Sequence, residues 1–267
     1  MANNAPIGVF DSGIGGLTVV KEVINLMPNE NIVYFGDTGR TPYGPRPVEQ
    51  IIEFTNQILD FLNGQGVKMA IMACNTITMW TLEQALSRYA FPIVGMNTGE
   101  QLALAATKSK HIGIAATQAT INSGKHAQRI TAADASAKVF PQACPPLCPM
   151  VESEVLEGAE AEAACREYLL PMKEAGVDTV VLACTHYPFL LAPIKHILGP
   201  EVTVIDPAKQ TALDAQQVLK DMNLLADPGQ QAVRRFCFSA DPARAKRLAE
   251  RIIDAPLHNF EQVNILE

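Results

Sequence analysis

The sequence predicts an α/β protein made of two pseudo-symmetric parallel-sheet domains. Three observations predict it. Short apolar runs alternate with amphipathic stretches, the pattern of buried parallel strands joined by crossover helices. Three of those runs recur in the same order between 105 and 111 positions further along the chain. The length of 267 residues allows two medium domains, each large enough to bury a core without staples.

Taken in order, Ile7 to Phe10 reads as a buried strand running into the glycine-rich turn Asp11-Ser12-Gly13-Ile14-Gly15-Gly16. Val20, Val23, Ile24 and Met27 then fall on one helical face, and Pro28-Asn29 stops that helix. Asn31 to Phe35 is a second strand, followed by a Gly- and Pro-rich loop from Asp37 to Pro47. Ile51, Thr55, Ile58, Leu59 and Leu62 form the inward face of a second helix, closed near Gly64. Met69 to Ala73 is a third strand, ending at Cys74.

The second half repeats the first. Gly66 to Thr76 aligns with Gly176 to His186 at an offset of 110, which carries Cys74 onto Cys184. Ile7-Gly8-Val9 matches Ile112-Gly113-Ile114, and Ile93-Val94-Gly95 is echoed by Val204-Ile205-Asp206. The stretch after Asp206 reads as a helical tail (Gln210 to Met222, Pro242 to Ile253), long enough to return to the first unit. The expected domains are therefore residues 1–96 plus 208–267, and residues 97–207.

Composition narrows the function. Lys and Arg number 21 against 28 Asp and Glu, a net charge of −7, so sequence-independent nucleic-acid binding is not expected. Hydrophobic residues make up 48% and charged residues 18%, a globular balance. No signal peptide or membrane-length apolar run is evident, so the expected location is the cytoplasm, with six reduced cysteines.

Ligands of open α/β sheets bind at the carboxyl ends of the strands. Asp11-Ser12, Asp37 to Gly44, Cys74-Asn75-Thr76, Thr117 with Thr120 and Ser123, and Cys184-Thr185-His186 all fall there. A buried cysteine is ordinarily a small hydrophobe. Here both copies of a duplicated unit keep one at the same strand end, before a helix whose N-terminus favours a thiolate. Two such units facing each other present one thiol from each side of a shared cleft. An acid and a base on opposite sides of one carbon are what inversion of a stereocentre needs. The Ser12 hydroxyl and the helix N-terminus suit a carboxylate, and Asp11 suits an ammonium; an α-amino acid carries both. Cys144 and Cys148 among four prolines, and Cys184 with His186, make no four-ligand set, so no metal is expected. His111, His126, His196 and His258 read as surface or helix-end residues. The run Glu152, Glu154, Glu157, Glu160, Glu162 and Glu167 reads as a solvated helix face.

Asp11 to Val19, Tyr34-Phe35-Gly36-Asp37, Pro42-Tyr43-Gly44, Cys74-Asn75-Thr76 and Cys184-Thr185-His186-Tyr187-Pro188 together resemble bacterial glutamate racemases, in order from about Ile7 to Ala208. The resemblance implies two pseudo-symmetric α/β domains with the active site in the cleft between them, and racemisation of glutamate without a cofactor. It makes Cys74 and Cys184 the catalytic pair, the first taking the α-proton of D-glutamate and the second that of L-glutamate. Asp11 supports Cys74 and His186 supports Cys184, with Asp37 and Glu152 as further acidic helpers. Substrate contacts fall on Asp11, Ser12, Tyr43, Gly44, Asn75, Thr76, Thr117, Thr120, Thr185 and His186. It also implies supply of D-glutamate to peptidoglycan and a homo-oligomer, a dimer. An aspartate or broader amino-acid racemase is the near alternative. A non-catalytic two-lobed amino-acid-binding protein is the distant one, which would have no use for two thiols.

Overall fold

The computed structural model describes residues 4–265. The chain forms two compact units; the first runs to Asn97 and resumes at Ala208, and the second is Thr98–Pro207. Among the described residues no helix is long and apolar enough to cross a membrane.

The first unit opens with β1 (Ile7–Asp11), α1 (Leu17–Leu26), β2 (Ile32–Gly36), α2 (Val48–Gly64), β3 (Met69–Met72), α3 (Asn75–Arg88) and β4 (Ile93–Gly95). Strands β1, β2 and β3 are buried along their whole length, which is why they read as unbroken apolar runs. The second unit holds α4 (Glu100–Ala106), β5 (His111–Ala116), α5 (Gln118–Asn122), α6 (Lys125–Ala133), β6 (Lys138–Ala143), α7 (Leu147–Glu152), α8 (Gly158–Glu174), β7 (Thr179–Ala183), a 3₁₀ turn (Tyr187–Leu190), α9 (Leu191–Leu198) and β8 (Thr203–Ile205). The chain then returns to the first unit with α10 (Ala208–Asp221), β9 (Arg234–Phe238), α11 (Pro242–Ile252) and β10 (Phe260–Gln262).

Both sheets are parallel. Their orders are β10-β9-β2-β1-β3-β4 and β6-β5-β7-β8. Reading each unit's first four strands as one to four, both run 2-1-3-4, and the repeat extends to register. Ile7 pairs with Met69 as Ile112 pairs with Thr179, and Ala70 pairs with Ile93 as Val180 pairs with Val204. The residues matched in the sequence are thus the same positions of the same strands. In this topology the strand order reverses beside the first strand, so the ligand crevice opens at the carboxyl ends of β1 and β3, and of β5 and β7.

The tail departs from expectation. Helices α10 and α11 form there, but so do two strands: β9 pairs with β2, and β10 with β9. Period-two spacing puts Phe236 and Phe238 on one face, where Phe260 stacks on both at 4.6 and 6.0 Å between ring centroids. Two arginines opening β9 hide that alternation in the sequence.

His126 is a second departure. It is buried in α6 rather than exposed, and both ring nitrogens lack a hydrogen-bond partner. It borders a cavity of about 60 Å³ lined by Ile114, Thr120, Ile121 and Pro141. Burial pulls its pKa down to about 4, opposed by Glu100 of α4 and reinforced by Arg129 of its own helix. An unfolded histidine titrates near 6.5, so between the two values the unfolded chain binds more protons. Stability is therefore full above about pH 6.5 and is lost as pH falls toward 4. The expected loss from this group between pH 7.5 and 4.5 is about 2–3 kcal/mol in urea unfolding, and His126→Leu removes that part of the slope. An unchanged slope in the variant rules the assignment out.

Candidate active site

In the first unit, β1 delivers Asp11 to the start of the glycine-rich turn. The Asp11 carboxylate accepts the Gly13 N–H at 2.8 Å, and the Tyr34 hydroxyl donates to the Gly13 carbonyl at 2.8 Å. Gly36, at the end of β2, lets this turn sit close: a Cβ there would lie 2.5 Å from the Gly13 oxygen. The turn carries Ser12 to Cys74, with Oγ 3.6 Å from Sγ. Cys74 is the N-cap of the fourteen-residue α3, so the positive end of the helix dipole acts on its sulfur. Asn75 and Thr76 occupy the first turn of α3 and are buried. Neither the oxygen nor the nitrogen of the Asn75 carboxamide has a hydrogen-bond partner in the protein. A buried amide left so is costly unless something binds to it.

Asp37 differs from a free catalytic carboxylate. Its oxygens accept from Arg40 Nε at 2.6 Å, from Ser239 Oγ at 2.7 Å, and from the Tyr43 hydroxyl. Burial and then the Asp37 charge hold Tyr43 well above the usual phenol range, with a smaller contribution from Cys74 nearby. Tyr43 is therefore a neutral hydroxyl held in place by Asp37. Ser239 had no signal in the sequence; it follows β9, at the carboxyl end of a strand that was itself hidden. Gly44, next to Tyr43, is partly exposed in the same loop.

In the second unit, Thr117 caps α5, its Oγ1 accepting the Thr120 N–H at 3.4 Å and donating to Thr120 Oγ1 at 3.1 Å. Both threonines are buried at the carboxyl end of β5. Cys184 follows β7, but no α-helix begins there as it does after Cys74. A turn through Thr185 and His186 leads into the short 3₁₀ segment, because Pro188 and the packing of Tyr187 redirect the chain. Histidine takes the place of the missing helix dipole. His186 Nδ1 lies 3.9 Å from Cys184 Sγ, and its Nε2 lies 2.8 Å from Glu152 Oε1. All three are buried, so Glu152 stands apart from the solvated glutamates that follow it.

Burial would raise the Cys184 thiol. Hydrogen bonds from Cys148 and His186, with the imidazolium charge, outweigh it and bring the thiol well below its ordinary value. For His186, burial alone would lower the pKa, and hydrogen bonds with Cys184 and Glu152 raise it above the usual range. The pair is a thiolate–imidazolium couple anchored by a carboxylate. Cys148 was not among the candidate residues. It sits four residues before Glu152 on α7; ahead of that helix, the Tyr187 hydroxyl donates to the Cys144 carbonyl at 3.0 Å.

Each copy of the duplicated parallel α/β unit thus carries a thiol at the same strand end, one under a helix dipole and one paired with histidine. A family model for Asp/Glu/hydantoin racemases matches residues 17–215. The chain is 39% identical over 261 residues to a glutamate racemase of Corynebacterium diphtheriae, covering 97% of this chain and 98% of that one. It is 40% identical over 263 residues to one of Lysinibacillus sphaericus, covering 98% and 99%. Among solved structures, a glutamate racemase isoform of Bacillus anthracis superposes with a TM-score of 0.90 at 34% identity, covering 98% of both chains. One from Francisella tularensis in complex with D-glutamate gives 0.88 at 32%, again covering 98% of both. The chain belongs to the Asp/Glu/hydantoin racemase family.

Proposed function

We propose that this enzyme interconverts L- and D-glutamate by moving the α-proton between two thiols, Cys74 and Cys184. The observation that carries the reading is the recurrence of cysteine at the carboxyl end of the third strand in both units, in the same strand order and register. Inversion at Cα needs a base on one face and an acid on the other, and neither group needs to leave its place between turnovers. In the L-to-D direction the Cys184 thiolate removes the proton and the Cys74 thiol supplies one; in the reverse direction their roles exchange.

An α-proton beside a charged carboxylate is a poor acid, so the protein has to neutralise the developing charge. Ser12, Asn75, Thr76, Thr117, Thr120 and Thr185 are buried hydroxyl and amide groups suited to the substrate's carboxylates, and Asp11 to its ammonium. Asp37 works through Tyr43, and Glu152 through His186; both are positioning residues in this reading. The same reading makes the chain a cytoplasmic homodimer that supplies D-glutamate for peptidoglycan.

The test is proton NMR with L-glutamate in D₂O, without added cofactor, followed alongside circular dichroism. Loss of the α-proton signal in step with loss of optical activity is the expected result. Exchange without inversion would mean one working thiol. No change with glutamate but turnover of L-aspartate would move the substrate to the shorter diacid.

A further inference from the structure

We infer that Cys148, Cys184 and His186 form a binding site for a soft divalent cation of the Zn²⁺ type, and that filling it switches racemisation off. The two sulfurs and one imidazole nitrogen lie within 4.8 Å of one another, and all three residues are buried. In tetrahedral zinc sites Zn–S is about 2.3 Å and Zn–N about 2.0–2.1 Å, which places donor atoms roughly 3.5–3.8 Å apart. The present spacings close to that with side-chain shifts of about 1 Å.

The surroundings fit as well as the donors do. His186 presents Nδ1 toward Cys184 while Glu152 holds Nε2 at 2.8 Å, the carboxylate–histidine arrangement that orients metal-binding imidazoles. Cys148 and Glu152 are four residues apart on α7, so one helical face supplies a ligand and the anchor of another. Two thiolates and an imidazole select Zn²⁺ over Mg²⁺ or Mn²⁺, which prefer oxygen. Three protein ligands leave the fourth position open to water. On binding, the two thiols and His186 Nδ1 release whatever protons they carry to the buffer, Nε2 keeps its proton toward Glu152, and the two thiolate charges balance the ion.

The inhibitory consequence rests on Cys184 being the catalytic thiol proposed above; the binding itself does not. A sulfur bound to a metal shares its charge with the ion and becomes a far weaker base, and the ion blocks the substrate's approach to it, so metal and substrate compete for Cys184.

The experiment titrates metal-free enzyme with Co²⁺ and Zn²⁺, reading the visible bands of tetrahedral Co²⁺ and the thiolate charge-transfer band, and in parallel the racemisation rate. One equivalent is expected to bind with tetrahedral, sulfur-rich spectra and to stop turnover, with EDTA restoring it. Cys148→Val is expected to weaken Zn²⁺ binding by more than about 100-fold, beyond the range for loss of an outer-shell partner. Its inhibition curve, normalised to its own metal-free rate, is expected to shift equally. Cys148→Ser serves if the valine variant does not fold, since it keeps the size and loses the soft donor. Cys165→Ala, another buried cysteine of the same unit, is expected to bind like the unmodified chain. Equal affinity in the Cys148 variants, or stoichiometric binding with undiminished racemisation, overturns the inference. If the chain proves not to racemise glutamate, the Co²⁺ spectra still decide whether the site exists.

Discussion

Cys184→Ser and Cys74→Ser are each expected to lower racemisation by about 100- to 10,000-fold in both directions, the range for a positioned acid or base. Serine nearly preserves size and hydrogen bonding, so the loss reports proton transfer rather than packing. A serine hydroxyl is too weak an acid for histidine or a helix dipole to ionise it at neutral pH. The two variants are also expected to differ in what they retain. Cys184→Ser leaves the thiol assigned to D-glutamate, so slow α-proton exchange in D₂O persists with the D-enantiomer alone. Cys74→Ser retains exchange with the L-enantiomer alone. NMR of each variant with each enantiomer gives four rates, and near-native racemisation in either variant would sink the two-thiol scheme.

The largest expected effect on stability lies at the other end of the first sheet. Lys68 and Glu30 form an ion pair at 2.5 Å with side chains only 1% and 2% exposed, just before β3 and β2. Lys68 Nζ also donates to the Leu224 carbonyl at 2.7 Å, and Glu30 accepts the Ala226 N–H at 2.8 Å. The pair thus pins the returning tail to the first unit. Lys68→Met strands a buried carboxylate and is expected to cost about 3–5 kcal/mol, a fall in melting temperature of roughly 10 °C. Adding Glu30→Leu removes the stranded charge and is expected to recover part of the loss, but not the part due to Ala226. At low temperature the folded variants should keep normal turnover, since the pair lies away from the strand ends that carry the thiols. A shift under about 1 kcal/mol in Lys68→Met would show that water reaches the pair, as it does for surface pairs.

Most of the first unit was legible because its strands are buried on both faces and its helices carry clean apolar stripes. The duplication was legible because the repeat keeps glycine, valine, alanine and cysteine at equivalent positions. Strand β6 was not, since it lies at a sheet edge, carries Pro141 and is partly exposed along much of its length. Strands β9 and β10 hid behind arginines and brevity. The Cys184–His186 pair was visible as neighbours in sequence, but the helix expected after Cys184 was not found, because a cysteine at a strand end says nothing about how the next turn runs. Glu152 entered only through the family resemblance. Cys148 stayed invisible as a partner of Cys184, since thirty-six positions separate them and only the fold of the proline-rich segment brings them together. His126 failed for a related reason: amphipathic spacing cannot tell a capped surface imidazole from one sealed under a helix.

The return of the chain to its first unit also sets a timetable. The outer edge of β2 is an unpaired row of backbone groups until β9 arrives to cover it. On the ribosome that partner emerges about two hundred residues later, after the whole second unit. At roughly 5–20 residues per second the wait is about 10–40 s. Throughout that interval the nascent protein carries an open template for foreign strands, whereas Thr98–Pro207 has every strand of its own sheet once Ile205 is made, before β9 exists. The second unit is therefore the part equipped to fold first, and the beginning of the chain is completed last.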